Sequence, residues 1–289
     1  MKEGIVLLLG RPNVGKSTFV NNIIGQKVAI TSPKPQTTRF PIQGLFEDER
    51  GKIIFTDTPG IFDKAKDTMA KKINEQTYGA INKEADVVLY FVDPTRRRDF
   101  EEAKVLGIAR KMKAPVILVI NKSDERQKYL PQYKFLEEEF AEVVHISALK
   151  SHNFDQLLEL IYNHLPEAGD QPLLSEERVY PLLNMDSKAF IGELIREKVF
   201  LMMGEEIPYS TTAIVDDIKE RDNGMLYIKA RILTTNERHK KMIIGKGARK
   251  IKDLGSYARK EIALATSKKV YLDLTVETDP HWQEVLYSS

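Results

Sequence analysis

Eight residues constrain this chain more than any others: Gly10-Arg11-Pro12-Asn13-Val14-Gly15-Lys16-Ser17, set between the apolar run Ile5–Leu9 and a helical stretch. The spacing G-x-x-x-x-G-K-[ST] is that of a loop that wraps phosphate. Its glycines let the backbone curl so that N–H groups point inward at phosphate oxygens. The helix that starts near Lys16, with Thr18 in its first turn, adds its positive end. Lys16 is expected on the β- and γ-phosphates and the Ser17 hydroxyl on Mg²⁺. A glycine turn with no ligand is the plain alternative, but the strand before and the helix after are the context the motif requires. The loop alone does not separate GTP from ATP.

A strand–loop–helix unit of this kind needs a parallel sheet around it. Ile5–Leu9, Lys52–Phe55, Val87–Val92, Val116–Ile120 and Val143–Ile146 read as strands, each followed by a loop rich in Gly, Pro, Asp or Asn. Helical segments alternate with them, the last being Phe154–Leu165. The expectation is an α/β domain with a mostly parallel sheet and flanking helices. The stretch Pro166 to Pro172, polar and containing Pro and Gly, then marks a linker. We set the first domain at residues 1–168, the linker at 169–180 and a second domain at 181–289.

Three later elements of the first domain complete a nucleotide site. Asp57-Thr58-Pro59-Gly60 ends the second of these strands, where the carboxylate can hold Mg²⁺ and the Gly60 N–H can reach the γ-phosphate. Between it and the phosphate loop, Thr31–Arg39 carries two prolines and reads as a switch loop, in which Thr38 is favoured over Thr37 as a γ-phosphate-dependent Mg²⁺ ligand. Asn121-Lys122-Ser123-Asp124 follows Val116–Ile120. Asp124 can accept two hydrogen bonds from guanine, where adenine offers no such pair of donors. Asn121 is expected to tie the base loop to the phosphate loop, and the Lys122 stem to lie over the ring. Ser147-Ala148-Leu149 would bring the Ala148 N–H to the guanine oxygen. GTP and GDP are thus the expected ligands.

The second half changes pattern. Lys188–Met203 is helical, Thr211–Glu220 and Met225–Thr234 flank an Asn223-Gly224 turn, and Lys269–Glu277 alternates as a strand. Lys240–Lys252 and Gly255–Thr266 read as two helices meeting at Leu254-Gly255, with a further helix near the C-terminus. The order is helix, strand, strand, helix, helix, strand. Between Arg238 and Lys260 stand nine basic residues and one acid, a local charge of +8 by difference against +2 for the whole chain. Within it lies a glycine loop, Gly245-Lys246-Gly247-Ala248. A loop of this kind clamps the backbone of single-stranded RNA. Lys246, Arg249, Lys250, Lys252 and Arg259 supply phosphate contacts, and Ile243 and Ile244 an apolar shelf for unstacked bases. The alternative is a solvated basic helix pair.

Composition excludes several other classes. The chain has no cysteine, so no disulfide and no thiolate metal site. No run approaches the roughly 18 apolar residues of a membrane span. A cytoplasmic protein is expected.

Taken together, Gly10–Ser17, Gln36-Thr37-Thr38-Arg39, Asp57–Gly60, Asn121–Asp124 and Ser147–Leu149 resemble the translation-factor-like P-loop GTPases, and the Era family most closely. Met242–Lys252 with Leu254-Gly255 and Ala258-Arg259 is similar to the type II KH domain of that family. The resemblance implies a GTPase, expected to be monomeric, that binds the 3′ end of 16S ribosomal RNA and assists assembly of the 30S subunit. Some members also associate peripherally with the membrane. Two places depart from the pattern. Where many GTPases carry a water-positioning glutamine, this chain has Ile61, which keeps open an RNA-binding switch with negligible turnover. Relatives with an apolar residue there often use potassium held by a P-loop asparagine, and Asn13 stands at that place. The last residue of the KH loop is Ala248 rather than glycine, acceptable if a helix starts there.

Overall fold

The computed structural model describes residues 1–60, 68–81, 83–169 and 184–286. Contacts divide the chain into two units, one of Met1–Thr31 with Thr38–Asn184, the other of Ser32–Thr37 with Met185–Ser289. The linker expected at 169–180 lies outside the described residues except for Gly169.

The first unit runs β1 (Lys2–Leu9), α1 (Lys16–Ile24), β2 (Ile42–Asp48), β3 (Gly51–Asp57), α2 (Thr68–Ile81), β4 (Val87–Val92), α3 (Phe100–Ala109), β5 (Val116–Ile120), α4 (Lys134–Glu139), β6 (Glu142–His145) and α5 (Phe154–His164). The strand order is β2-β3-β1-β4-β5-β6. Only β2 is antiparallel, paired with β3 from Ile42↔Asp57 to Asp48↔Gly51. The inner strands are buried on both faces, so β4 is apolar throughout, Val-Val-Leu-Tyr-Phe-Val. On one face Phe19 of α1 meets Phe55 and Phe154 edge-on at 5.5 and 5.0 Å. Leu157, Leu158 and Ile161 of α5 join the same core. On the other face Val105, Leu106 and Leu136, with Tyr133, pack on Tyr90 and Leu118. The edge strand β2 has no counterpart in the reading of the sequence. Its composition, Ile-Gln-Gly-Leu-Phe-Glu-Asp, is half polar because one edge meets solvent.

The second unit runs α6 (Ser187–Met202), β7 (Thr211–Glu220), β8 (Leu226–Thr234), α7 (Glu237–Ile244), α8 (Arg249–Thr266), β9 (Val270–Thr278) and α9 (Trp282–Leu286). Its sheet is β7-β8-β9, antiparallel then parallel. The hairpin closes with the Gly224 N–H donating to the Arg221 carbonyl at 2.8 Å. Helices α6 and α7 each start at a capped residue: the Asp186 carboxylate accepts from Ala189 N at 2.8 Å, and the Asn236 side-chain oxygen from His239 N at 2.9 Å. The two helices expected to meet at Leu254-Gly255 are instead divided at Gly245–Ala248, and α8 passes unbroken through Gly255. Gly245, Gly247 and Ala248 all have positive φ, which no α-helix tolerates. A Cβ on Gly255 would sit an ordinary 3.8 Å from Leu274, so that glycine neither stops nor kinks the helix.

Candidate nucleotide site and nucleic-acid surface

In the first unit the loops singled out in the sequence gather at the carboxyl ends of the strands. There the phosphate loop follows β1, Asp57–Gly60 follows β3, Asn121–Asp124 follows β5 and Ser147–Leu149 follows β6. Ligands bind α/β sheets at this edge, beside the point where the chain crosses from one side of β1 to the other.

The phosphate loop is held in shape by its neighbours. Gly15 has φ +105, and a Cβ there would come within 2.1 Å of the Asn121 amide nitrogen. Gly60 is needed for proximity: a Cβ would lie 2.5 Å from Pro12. These two contacts bring three of the expected elements against one another. Arg11 sends its side chain inward, 1% exposed. Its Nη1 donates to Asp99 at 2.7 Å and its Nη2 to the Tyr133 hydroxyl at 2.9 Å, while Nε lies 3.0 Å from Glu102. Arg11 was expected to contact nucleotide; its side chain is committed to the protein, which leaves its backbone to face the loop. The partners Asp99, Glu102 and Tyr133 escaped the sequence reading because they come from distant segments with no motif of their own.

Lys16 Nζ donates to the carbonyls of Gly10 and Arg11 at 3.1 and 3.3 Å. Burial pushes its pKa below the ordinary lysine value, against the pull of Asp57. Burial likewise pushes Asp57 above the ordinary carboxylate value, against Lys16 and Ser17. Each charge is therefore short of compensation, the cation by an anion and the carboxylate by a cation. The Ser17 hydroxyl donates to Asp57 Oδ2 at 2.5 Å and lies 3.2 Å from the Thr38 hydroxyl. Asp57 Oδ1 is buried with no hydrogen-bond partner among the described residues. Three oxygen donors thus converge beside an orphaned carboxylate oxygen, the hard donor set that suits Mg²⁺. Thr37 turns elsewhere and donates to the Lys34 carbonyl at 2.6 Å. Thr58 is buried too, its hydroxyl donating to the Leu8 carbonyl at 2.6 Å. Ile61 lies outside the described residues.

At the base loop Asn121 Nδ2 donates to the Val14 carbonyl at 2.7 Å, so the expected tie exists. The Ala148 N–H, expected to meet the guanine oxygen, donates instead to Asn121 Oδ1 at 2.9 Å and closes the same bracket. A side-chain amide with one acceptor and two donors bonds both loops at once. Asp124 is exposed, with Oδ1 accepting the Ser147 hydroxyl at 2.5 Å, which orients the carboxylate. Lys122 Nζ lies 2.7 Å from buried Asp93.

In the second unit, Lys246, Gly247, Ala248, Arg249, Lys250 and Lys252 are exposed around the turn between α7 and α8, and Arg259 is exposed farther along α8. Gly245 and Ile244 are half-buried beside them. Ile243 is fully buried, so it is a core residue under the loop and not part of a base-binding shelf. Its place at the inner face of α7 decides this, because helix periodicity puts Ile243 inward and Ile244 at the rim. Ala248 does not start the helix; it caps α8 at φ +58, a left-handed conformation that strains a residue with a Cβ.

A family model described as a 50S ribosome-binding GTPase matches residues 5–122, and one described as a KH domain matches residues 206–283. GTPase Era of Halothermothrix orenii is 39% identical, over 98% of this chain and 95% of its own. The chain belongs to the Era family of GTPases. GTPase Era of Trichlorobacter lovleyi is 37% identical over 98% of this chain and 94% of its own. A solved variant of Aquifex aeolicus Era, bound to GDP.AlF4-, is 36% identical, with TM-score 0.88 over 98% of this chain and 96% of that one. Era in complex with MgGDPNP and nucleotides 1506–1542 of 16S ribosomal RNA gives the same identity and TM-score over 98% and 95%. This Era-family protein is therefore a GTPase, hydrolysing GTP to GDP and phosphate, with a P-loop domain followed by a KH domain. No helix among the described residues is long and apolar enough to cross a membrane.

Proposed function

We propose that the protein is a GTP-driven switch whose KH domain grips the 3′ end of 16S ribosomal RNA, and that it assists assembly of the 30S subunit. The observation that carries this reading is the exposed basic turn Gly245–Lys252 on a chain alike over nearly its whole length to an Era captured with that RNA and MgGDPNP. The domain limits are taken as 1–168 and 181–289, joined by residues 169–180. A cytoplasmic monomer, with peripheral membrane contact as in some relatives, accompanies the reading.

The residues divide the work. Backbone N–H groups of Asn13–Lys16 surround the phosphates, Pro12 having none to give, and Lys16 leaves the carbonyls of Gly10 and Arg11 for the β- and γ-oxygens. Ser17, Thr38 and Asp57 hold Mg²⁺, which offsets charge on the phosphates. The Gly60 N–H senses the γ-phosphate from its place against Pro12. Asp124 accepts the two guanine donors, Asn121 fixes the distance between base and phosphate loops, and Lys122 covers the ring. With Ile61 unable to orient water by hydrogen bonding, Asn13 is the loop residue whose side-chain oxygen would hold a potassium ion, which would supply positive charge beside the phosphates. In the KH domain the Gly245–Ala248 backbone and Lys246, Arg249 and Lys250 clamp phosphates, with Ile244 against unstacked bases.

Crosslinking to an RNA oligonucleotide of the 16S 3′ end, with GTP analogue and with GDP, tests the reading. It is upheld by crosslinks at Lys246–Lys252 that depend on the nucleotide. Crosslinks absent in both states would overturn it.

A further inference from the structure

Asp93 stands just past the end of β4, fully buried, in none of the motifs that mark the nucleotide site. Its Oδ1 accepts the Thr95 N–H at 3.0 Å and the Thr95 hydroxyl at 2.6 Å, an ordinary loop-capping arrangement. Its Oδ2 does something a loop cap does not require. It accepts Lys122 Nζ at 2.7 Å and Arg96 Nε at 3.1 Å. Arg96 Nη2 then donates to the Pro12 carbonyl at 2.9 Å. Pro12 is the residue against which Gly60 packs. One carboxylate oxygen thus links the lysine of the base loop to the γ-phosphate end of the phosphate loop. Burying a carboxylate is costly, and an apolar residue would fill the space more cheaply. The two cations on Oδ2 offset that cost and point to a role outside packing.

We infer that Asp93 is a positioning residue for guanine-nucleotide binding. It sets the Lys122 stem across the plane of the base and, through Arg96, braces the phosphate loop at Pro12. A free lysine stem holds many rotamers, and ordering it on binding costs affinity. Anchoring its ammonium beforehand removes that cost, and bracing Pro12 does the same for the loop. Base and phosphate contacts are thereby presented as one preformed surface. The inference rests on the reading that Lys122 covers the guanine ring.

The test uses the full chain and a fluorescent GDP, measuring affinity and release rate for Asp93→Asn, Lys122→Gln and the double variant. Asparagine still accepts from Thr95, so the turn is kept while the charge is lost. Each single change is expected to weaken GDP binding about ten-fold, mainly through faster release. The double variant should fall well short of the product of the two single losses, because both changes cut the Asp93–Lys122 link and only the Arg96 arm is lost by Asp93→Asn alone. Losses that multiply to about a hundred-fold would overturn the inference, as would an unaltered release rate in Asp93→Asn beside an impaired Lys122→Gln. A Lys122→Gln protein that binds normally would sink the reading of the base site itself, and this inference with it. Should Asp93→Asn fail to fold, Arg96→Gln, whose side chain is partly exposed, carries the test. It must speed GDP release, and release at the wild-type rate contradicts the brace.

Discussion

The Asn121 side-chain amide donates to the Val14 carbonyl at 2.7 Å, joining two loops 107 positions apart in the chain. The Ala148 N–H donates to the oxygen of the same amide at 2.9 Å. One side chain therefore sets the spacing of phosphate loop, base loop and the loop after β6. Asn121→Ala removes both bonds and leaves a buried carbonyl unpaired, a loss of about 2 kcal/mol. GTP and GDP affinity should each fall about thirty-fold. Titration with a fluorescent guanine nucleotide measures this, and equal losses for both ligands are expected because the tie does not touch the γ-phosphate.

Acid should expose the contribution of Asp93. Burial alone would raise its pKa, but the hydrogen bonds from Lys122 and Thr95 and the Lys122 charge outweigh it, and the carboxyl is held below its ordinary value. A depressed carboxylate stabilises the fold fully above its unfolded pKa of about 4. That stability is lost as pH falls through the folded value. Thermal midpoints between pH 5 and pH 2 should therefore decline less steeply for Asp93→Asn than for the wild type, with about 1 kcal/mol separating the curves at neutral pH.

The KH loop gives a prediction of opposite sign. Ala248 sits at φ +58, where a Cβ costs about 1 kcal/mol relative to glycine. Ala248→Gly should stabilise the second unit by that amount. The only tryptophan, Trp282, is buried in that unit, so its fluorescence during denaturant unfolding reports the change. Gly247→Asp places a charge at the exposed tip and should weaken binding of the RNA oligonucleotide. Lys250→Gln should reduce the slope of log K against log salt by about 0.7, the loss of one phosphate contact to a single strand.

Potassium supplies a further test. Hydrolysis should run about ten-fold faster in potassium than in sodium, and Asn13→Ala should erase the difference. Equal turnover of the wild type in the two salts removes the role given to Asn13.

The first unit was legible where strands are short, apolar and ended by Asp or Asn, as at Val87–Val92 and Val116–Ile120, whose limits match the structure residue for residue. Burial on both faces makes such runs stand out. The edge strand Ile42–Asp48 does not, since its outer positions are polar and a Gly interrupts it. The break between α7 and α8 was legible as a glycine loop but misplaced, because Leu254-Gly255 looks like a helix stop and only backbone angles show otherwise. Motif positions of the nucleotide site were legible because each strand end carries its own signature. The supports were not: Arg11 with Asp99, Glu102 and Tyr133, and Asp93 with Arg96 and Lys122, are assembled by the fold from segments that have no fixed spacing.

The central claim is that the Asp124 carboxylate, oriented by Ser147 at 2.5 Å, admits guanine beside a phosphate loop anchored by Asn121. Competition of unlabelled GTP, ATP and XTP against a fluorescent GDP, on the wild type and on Asp124→Asn, tests it most directly. The wild type should be displaced by GTP alone, and Asp124→Asn should lose GTP and gain XTP. Displacement of the wild type by ATP as readily as by GTP, or unchanged GTP affinity in Asp124→Asn, would contradict it.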